Sequence, residues 1–153
     1  MICLLIGTND LTSKYPWIFY KTHVSRGISR QIKLPIHPKT PPHQIIDHFT
    51  TLIEAIKAKK PEIKIVISSI IPRLFDNKQN FQYIKLVNKE IEKFAVQNDV
   101  QFCYSYKLFL SKGTAIDTYY EMDGLHLTKI SSAKLQRYLV GVMSAHHRGK
   151  KLF

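Results

Sequence analysis

Residues 2–10, Ile-Cys-Leu-Leu-Ile-Gly-Thr-Asn-Asp, join an apolar run to a short polar turn. The five consecutive apolar residues predict a strand that is buried on both faces, as strands of a parallel sheet are. Gly7 ends this strand and shapes the turn that follows. Asn9 then lies at the carboxyl end of the strand, where a side-chain amide can direct its N–H towards a developing oxyanion. The stretch therefore predicts an α/β sheet with a candidate oxyanion donor at its edge.

A second stretch, Asp123-Gly124-Leu125-His126, lies on a loop that enters a predicted helix. Its carboxylate comes three residues before its imidazole. A carboxylate in this position can fix the tautomer of the histidine and stabilise the imidazolium that forms on proton transfer. Asp123 and His126 are therefore candidates for the orienter and the general base of a catalytic site.

The hydrophobic pattern between these two stretches alternates strands with helices. It predicts strands at 2–6, 63–67 and 100–104. It also predicts three helices: one from His43 to Pro61, one capped by Asp76 or Asn77, and one capped by Thr128. This order favours a parallel sheet with right-handed crossovers. The carboxyl ends of the strands would then bring into one cleft Asn9, Ser68, Ser69, Ser105 and His126.

The composition indicates a single domain, residues 1–153, because 153 residues with 44% hydrophobic content can form a core. Two cysteines without a secretion signal indicate an intracellular (cytoplasmic) compartment. The sequence does not decide whether Cys3 and Cys103 form a disulfide. No apolar run approaches the roughly 20 residues of a transmembrane segment. No metal and no cofactor is predicted, because metal-ligand spacing is absent among His23, His37, His43 and His48.

The formal charge of +12 favours polyanionic partners such as nucleic acid or an anionic membrane surface. Residues 11–41 form a long insertion or flap that is basic, rich in aromatic residues and free of acidic ones. Aromatic and basic side chains together can stack on and neutralise single-stranded nucleic acid. The other interpretation is a flap whose aromatic side chains cover the core or line a substrate cleft. Residues 146–153 are predicted to be a basic tail.

Gly7-Thr8-Asn9-Asp10 and Asp123-Gly124-Leu125-His126 resemble the G-x-N-D and D-x-x-H blocks of the SGNH (GDSL-type) hydrolase superfamily, and residues 68–73, Ser-Ser-Ile-Ile-Pro-Arg, are in keeping with it. The sequence is most similar in character to esterase-like domains of non-LTR retrotransposon open reading frames. The resemblance implies a flavodoxin-like three-layer α/β/α sandwich, here with a shortened parallel sheet. It also implies ester hydrolysis by Ser-His-Asp chemistry without a cofactor. The roles implied are general base for His126, orienter for Asp123, oxyanion donor for Asn9 and turn former for Gly7.

The sequence lacks one block that is typical of the superfamily. The nucleophilic serine of the superfamily lies on a Gly-Asp-Ser block upstream of G-x-N-D, and only six residues precede Gly7. The sequence therefore resembles an N-terminally truncated member, and we interpret it as the carboxyl-terminal part of a longer product. The nucleophile is unknown, although geometry could allow a substitute among Ser68, Ser69 and Ser105. Ser131 stands where the superfamily often has Gly after the histidine.

Two functions follow from these observations. The first is a domain for hydrolysis of a small ester that is inactive or incomplete in this form, so that the chain is a pseudoenzyme candidate. The second is a non-catalytic basic module that binds RNA or another polyanion, which a salt-dependent affinity for single-stranded RNA would support. The truncation also predicts an open sheet edge at residues 2–6. Either residues 11–41 cover this edge, or two copies of the chain associate through it, or the chain is the carboxyl-terminal part of a longer product.

Overall fold

The computed structural model describes residues 1–5, 19–25, 28–34, 40–74, 76 and 78–148, with the backbone alone at 19–25 and 28–34. Its α-helices are α1 (Pro42–Lys59), α2 (Lys78–Gln97) and α3 (Lys129–His147). Its strands are β1 (Ile2–Leu4), β2 (Phe19–Ser25), β3 (Ile28–Leu34), β4 (Ile65–Ser68), β5 (Gln101–Cys103), β6 (Leu110–Ser111) and β7 (Thr114–Ala115). Two short 3-10 helices span Ser105–Phe109 and Asp117–Tyr119.

Among the described residues, the central sheet contains three strands in the order β1-β4-β5. Both pairs are parallel, and the register places Cys3 beside Val66 and Val66 beside Gln101. The prediction of three parallel strands that are adjacent in chain order is confirmed. Two antiparallel hairpins lie outside this sheet, one formed by β2 and β3 and the other by β6 and β7. The first falls within the predicted insertion at 11–41, where the sequence indicated no strands.

Alternate residues of β4 face different helices. Ile65 and Ile67 belong to a core that includes buried residues of α1 and α2, whereas Val66 packs in a second core with Val142 of α3. Because successive side chains of a strand point to opposite faces, α1 and α2 cover one face of the sheet and α3 covers the other. The fold is therefore the predicted three-layer α/β/α sandwich with a short parallel sheet.

Local hydrogen bonds set the ends of several elements. Ile63, predicted to start the second strand, donates its N–H to Lys60 O in a turn, and β4 begins at Ile65. Thr128 caps α3 as predicted, accepting the N–H of Ser131 at 3.4 Å. Helix α3 continues to His147, so the predicted basic tail is helical at its first two residues, while residues 149–153 lie outside the described part.

Ser131 is fully buried in the first turn of α3. Its Oγ donates to Tyr119 O at 2.5 Å and to Thr128 O at 3.1 Å. A serine is therefore accommodated where the superfamily often has glycine, because its hydroxyl finds backbone acceptors. These bonds attach α3 to the loop that precedes it.

The two cysteines are free thiols, so the disulfide left open by the sequence is not formed. Burial, with a smaller contribution from Cys103, raises the pKa of Cys3 to about 11, and burial also raises the pKa of Cys103. Both groups are therefore thiols rather than thiolates at neutral pH. Among the helices of the described ranges, none has the length and apolar character needed to cross a membrane.

We expect the isolated chain to dimerise or aggregate unless residues 11–41 pack over β1. In the part of the chain that the structure describes, β1 pairs with a strand on one side only, and Leu5 beyond its end is 46% exposed. An unpaired edge offers N–H and C=O groups to another chain. Light scattering on a sizing column measures this. A stable monomer that stays monomeric after proteolytic removal of residues 11–41 would contradict it.

Candidate active site

The loop between the second 3-10 helix and α3 is closed by backbone hydrogen bonds. Glu121 N donates to His126 O at 2.7 Å, and Gly124 N donates to Glu121 O at 2.9 Å. Tyr120 and Leu127 form an antiparallel bridge at the base of the loop. Gly124 has a φ of +68°, in the left-handed region that glycine adopts without a steric penalty. The chain thus forms a short closed loop at residues 120–127, which we call the histidine loop.

Asp123 accepts three hydrogen bonds inside the histidine loop. Its Oδ1 accepts the N–H groups of Leu125 and His126, each at 2.9 Å. Its Oδ2 lies 2.5 Å from Nδ1 of His126. The backbone bonds fix the carboxylate, and the carboxylate in turn fixes the plane of the imidazole. The predicted contact between Asp123 and His126 is present, while their catalytic roles stay predictions.

The hydrogen bond to Asp123 decides which ring nitrogen of His126 is free. A carboxylate only accepts, so Nδ1 carries the hydrogen and Nε2 keeps the lone pair in the neutral ring. The side chain of His126 is 75% exposed, which leaves Nε2 accessible to a reacting group. An exposed Nε2 on a carboxylate-oriented ring is the arrangement of a general base.

The same contact shifts both pKa values. The hydrogen bond to Asp123 and its negative charge raise the pKa of His126 above its ordinary 6.5. Partial burial acts to raise the pKa of Asp123, but the hydrogen bonds from His126 and the backbone outweigh it, and the net shift is downward from 3.8. The His126 contribution to stability is therefore complete below pH 6.5 and is lost as the pH rises through the folded-state value. The Asp123 contribution is present above pH 3.8 and is lost as the pH falls through its lowered value.

We expect Asp123→Asn to lower the pKa of His126 towards 6.5, because the amide keeps the size of the side chain but removes the charge. A ¹⁵N–¹H NMR titration of the imidazole measures this shift. Glu121→Gln is the matched control, since it removes a charge in the same loop. An unchanged His126 titration in Asp123→Asn would show that the ion pair is absent in solution.

An apolar groove of about 650 Å³ adjoins His126. It is formed by β1, α3 and the histidine loop, and its apolar lining includes Cys3, Leu5, Leu125, Leu127, Leu135, Leu139, Val140 and Met143. Leu5, Leu125 and Val140 are 46%, 41% and 55% exposed. The groove therefore places an accessible apolar surface next to the candidate base, at the carboxyl end of β1.

The three serines considered as nucleophiles are fully buried. Ser68 Oγ donates to Ser105 Oγ at 2.7 Å, and Ser69 Oγ accepts the N–H of Tyr106 at 2.8 Å. These bonds satisfy polar groups beyond the carboxyl ends of β4 and β5, which is an ordinary structural role. None of the three hydroxyls is exposed to a substrate, whereas His126 is exposed. The structure therefore does not bring them together with His126 at an accessible surface.

Gly7 and Asn9, predicted as turn former and oxyanion donor, lie outside the described residues. Most of the insertion at 11–41 is outside them too, or described by backbone alone. Groups of three or more metal-binding side chains are absent from the ranges that are described.

Sequence reasoning missed two residues near the site, Asn88 and Tyr120, and the ion pair formed by a third, Asp76. Asn88 of α2 bonds both backbone groups of Ile70, just after β4. Tyr120 donates its hydroxyl to Pro72 O, and Asp76, which the sequence offers as a cap of α2, accepts hydrogen bonds from Arg73. Two features of the sequence could have indicated these residues. Asn88 is a polar residue on the apolar stripe of α2, and Tyr120 belongs to a Tyr-Tyr pair just before the Asp-His stretch.

Comparisons with known proteins identify the family and the fold. The model of the GDSL-like lipase/acylhydrolase family matches residues 1–130. The esterase domain of the ZfL2-1 ORF1 protein, from the zebrafish ZfL2-1 retrotransposon, has a similar structure with a TM-score of 0.59 and 17% identity, over 68% of this chain and 60% of that chain. A GDSL-like lipase from Bacteroides thetaiotaomicron has a TM-score of 0.63 and 20% identity, over 94% of this chain and 62% of that chain.

The chain thus spans less than two thirds of each of these two solved structures. No curated protein matches it at a significant level. At these identities the structural likeness establishes the fold alone, while the family match covers most of the sequence. The resemblance predicted from the two motifs is confirmed: this chain belongs to the GDSL-like lipase/acylhydrolase family.

Proposed function

We propose that this domain contributes the general base of an ester-hydrolase site, His126, and the residue that orients this base, Asp123. The observation that supports this most directly is the bond between Asp123 Oδ2 and His126 Nδ1, which leaves an exposed Nε2. Asn9 is proposed as the oxyanion donor and Gly7 as the residue that shapes its turn, both by their match to the family motif. No cofactor takes part in the proposed reaction.

The chemistry would proceed through an acyl intermediate. The nucleophile's hydroxyl proton passes to Nε2 of His126 while its oxygen bonds to the ester carbonyl carbon. The carbonyl oxygen becomes an oxyanion, to which the Asn9 amide would donate. The bond to the leaving alcohol then breaks, and the proton on Nε2 moves to that alcohol. Water repeats the same steps on the acyl group and restores the nucleophile.

The apolar groove supports a small ester with an apolar portion as the substrate. His126 lines this groove together with Leu125 and Val140, so we propose that a substituent of an ester bound near Nε2 packs against these apolar side chains. Mostly apolar pockets with a few directed polar groups are typical of small-molecule sites. Burial of that substituent would stabilise the complex by about 25 cal/mol for each Å² removed from water.

The nucleophile is the part of the site that these residues do not supply. The 153 residues contain no Gly-Asp-Ser, and Ser68, Ser69 and Ser105 are buried. We therefore propose that the chain in this form is inactive as an esterase. The Asp-His pair then becomes functional when a serine is placed against Nε2.

A fusion protein tests the base role directly. The added segment is a strand ending in Gly-Asp-Ser followed by a crossover helix, joined before Met1, so that the strand can pair in parallel with the edge of β1 that has no partner among the described strands. We propose that the fusion hydrolyses p-nitrophenyl butyrate and that His126→Ala lowers its kcat/KM by at least about 100-fold, the lower range for general base catalysis. The matched control is His147→Ala, at the far end of α3. Hydrolysis by the fusion that does not depend on His126 would refute the base assignment.

Nothing in the arrangement of the described residues specifically supports the alternative function, binding of nucleic acid. Two basic side chains, Lys57 and Lys64, donate hydrogen bonds to backbone carbonyls inside the domain. Lys57 Nζ donates to Asn98 O just after α2, and Lys64 Nζ donates to His146 O and His147 O at the end of α3. Cations at helix C-termini offset the partial negative charge there. Part of the +12 charge is thereby explained without a polyanionic partner.

A further inference from the structure

A short segment after β4 contacts the histidine loop at two points. Tyr120 donates its hydroxyl to Pro72 O, and Leu74 N donates to Gly124 O at 2.9 Å. Tyr120 is 3% exposed and Pro72 is fully buried, so the first of these bonds is inside the protein. The second bond reaches the residue directly after Asp123. The two contacts therefore hold the loop at its base and at its turn.

The segment that receives these contacts is itself closed by an ion pair. Arg73 donates from Nε and Nη2 to Asp76 Oδ1 at 2.9 and 2.6 Å, and its backbone N–H donates to Asp76 Oδ2 at 2.9 Å. Asp76 N donates back to Arg73 O at 3.2 Å, and Asn80 Nδ2 adds a bond to Oδ1 at 3.3 Å. The side chain of Asp76 is only 2% exposed. A buried carboxylate with this many donors holds Arg73 and Asn80 in place.

Packing reinforces the same arrangement. The ring of Tyr120 packs against Phe109, with centroids 6.2 Å apart, in a small core that also contains Leu74 and Leu135. The segment, the histidine loop and α3 therefore share one apolar cluster. A displacement of the segment would expose buried rings and break both loop contacts.

We propose that Tyr120 and Asp76 are positioning residues for His126. Asp76 holds Arg73, and with it residues 72–74, in the position that presents Pro72 O and Leu74 N, and Tyr120 donates to the first of these groups to hold the histidine loop. This inference rests on the proposed role of His126 as the base, and it adds the residues that fix where the base lies. It also explains why residues 68–73 accompany the Asp-His stretch in this chain: their last two residues form the support of the loop.

The test compares two buried tyrosines by NMR in the full chain. Tyr120→Phe removes the hydroxyl that holds the loop, whereas Tyr106→Phe removes a buried hydroxyl that has no hydrogen-bond partner among the described residues. We expect Tyr120→Phe to speed amide exchange at Glu121 and His126 by about tenfold relative to Val66 of β4. The reason is that the loss of a buried hydrogen bond increases the population of the locally opened loop by about tenfold. The His126 titration midpoint is expected to move towards 6.5. Tyr106→Phe is expected to change neither measurement.

Asp76→Asn is the second variant, because it keeps the shape of the side chain and weakens the bonds to Arg73. It is expected to change loop exchange and the His126 titration in the same direction as Tyr120→Phe. An equal increase in exchange at the loop and at β4, or an unchanged His126 titration in folded Tyr120→Phe, would overturn the proposal. If Asp76→Asn does not fold, Tyr120→Phe decides the question alone. Neither measurement uses ester turnover, so a failure here is distinct from a failure of the base assignment.

Discussion

Purified residues 1–153 are expected to hydrolyse p-nitrophenyl acetate at a rate close to the buffer background. General base catalysis needs a hydroxyl to deprotonate, and triad members act as a unit, so the loss of one forfeits most of the rate. Well-formed sites that lose one triad member keep an acceleration on the order of 10³ over water, from oxyanion stabilisation and binding. The chain has an oriented base but no exposed serine among the three candidates.

Substitution at the base separates this expectation from weak but genuine turnover. His126→Ala is expected to leave the residual rate unchanged within about twofold, because Nε2 has no nucleophile to activate. His147→Ala, a second histidine on the same chain, controls for non-specific imidazole catalysis of activated esters. Stopped-flow absorbance at 400 nm measures both the initial phase and the steady rate.

A relocated serine would give a different result. A burst of product, together with an acyl adduct on Ser68, Ser69 or Ser105 that His126→Ala abolishes, would show that the expectation is wrong. Such a burst would require the buried serine cluster to open, since all three hydroxyls are inaccessible in the folded structure. Peptide mass mapping of the quenched reaction locates the adduct.

The fold was predictable from the sequence because its signals are local. Each strand is a short apolar run, each helix has an apolar stripe at helical spacing, and Thr128 caps α3 through a residue three positions away. Their alternation specifies parallel strands joined by helices, which is the sheet observed. The β2–β3 hairpin was not predicted, because its strands lie in a basic, proline-containing segment without a clear alternation of apolar and polar residues.

The candidate site was predictable only in its local part. Asp123 and His126 are three residues apart, so their contact follows from one tight loop. The bond between Tyr120 and Pro72 joins positions 48 apart, and the bonds between Asn88 and Ile70 join positions 18 apart. Which distant backbone group meets a given side chain depends on how strands and helices pack. No periodicity in a single sequence carries that information.

Asn88 shows how much such a long-range contact contributes. Beyond the end of β4, Ile70 is buried, and no strand of the described ranges bonds its N–H and C=O. Asn88 Oδ1 accepts the N–H at 2.7 Å, and Asn88 Nδ2 donates to the C=O at 2.9 Å. The side-chain amide thus replaces a missing strand at the carboxyl end of the sheet. It also ties α2 to the chain segment that leads to the turn at 72–76.

Asn88→Ala is therefore expected to lower the free energy of unfolding by about 2–6 kcal/mol, because it leaves the N–H and the C=O of Ile70 without partners and each such buried group costs about 1–3 kcal/mol. That is a large part of the roughly 5–15 kcal/mol by which a domain is stable. Urea unfolding followed by circular dichroism measures the loss. Gln82→Ala, at an exposed position of the same helix, is the matched control and is expected to change stability by less than about 0.5 kcal/mol. A loss below about 1 kcal/mol for Asn88→Ala would mean that water replaces the amide, and that the end of β4 is open to solvent rather than sealed by α2.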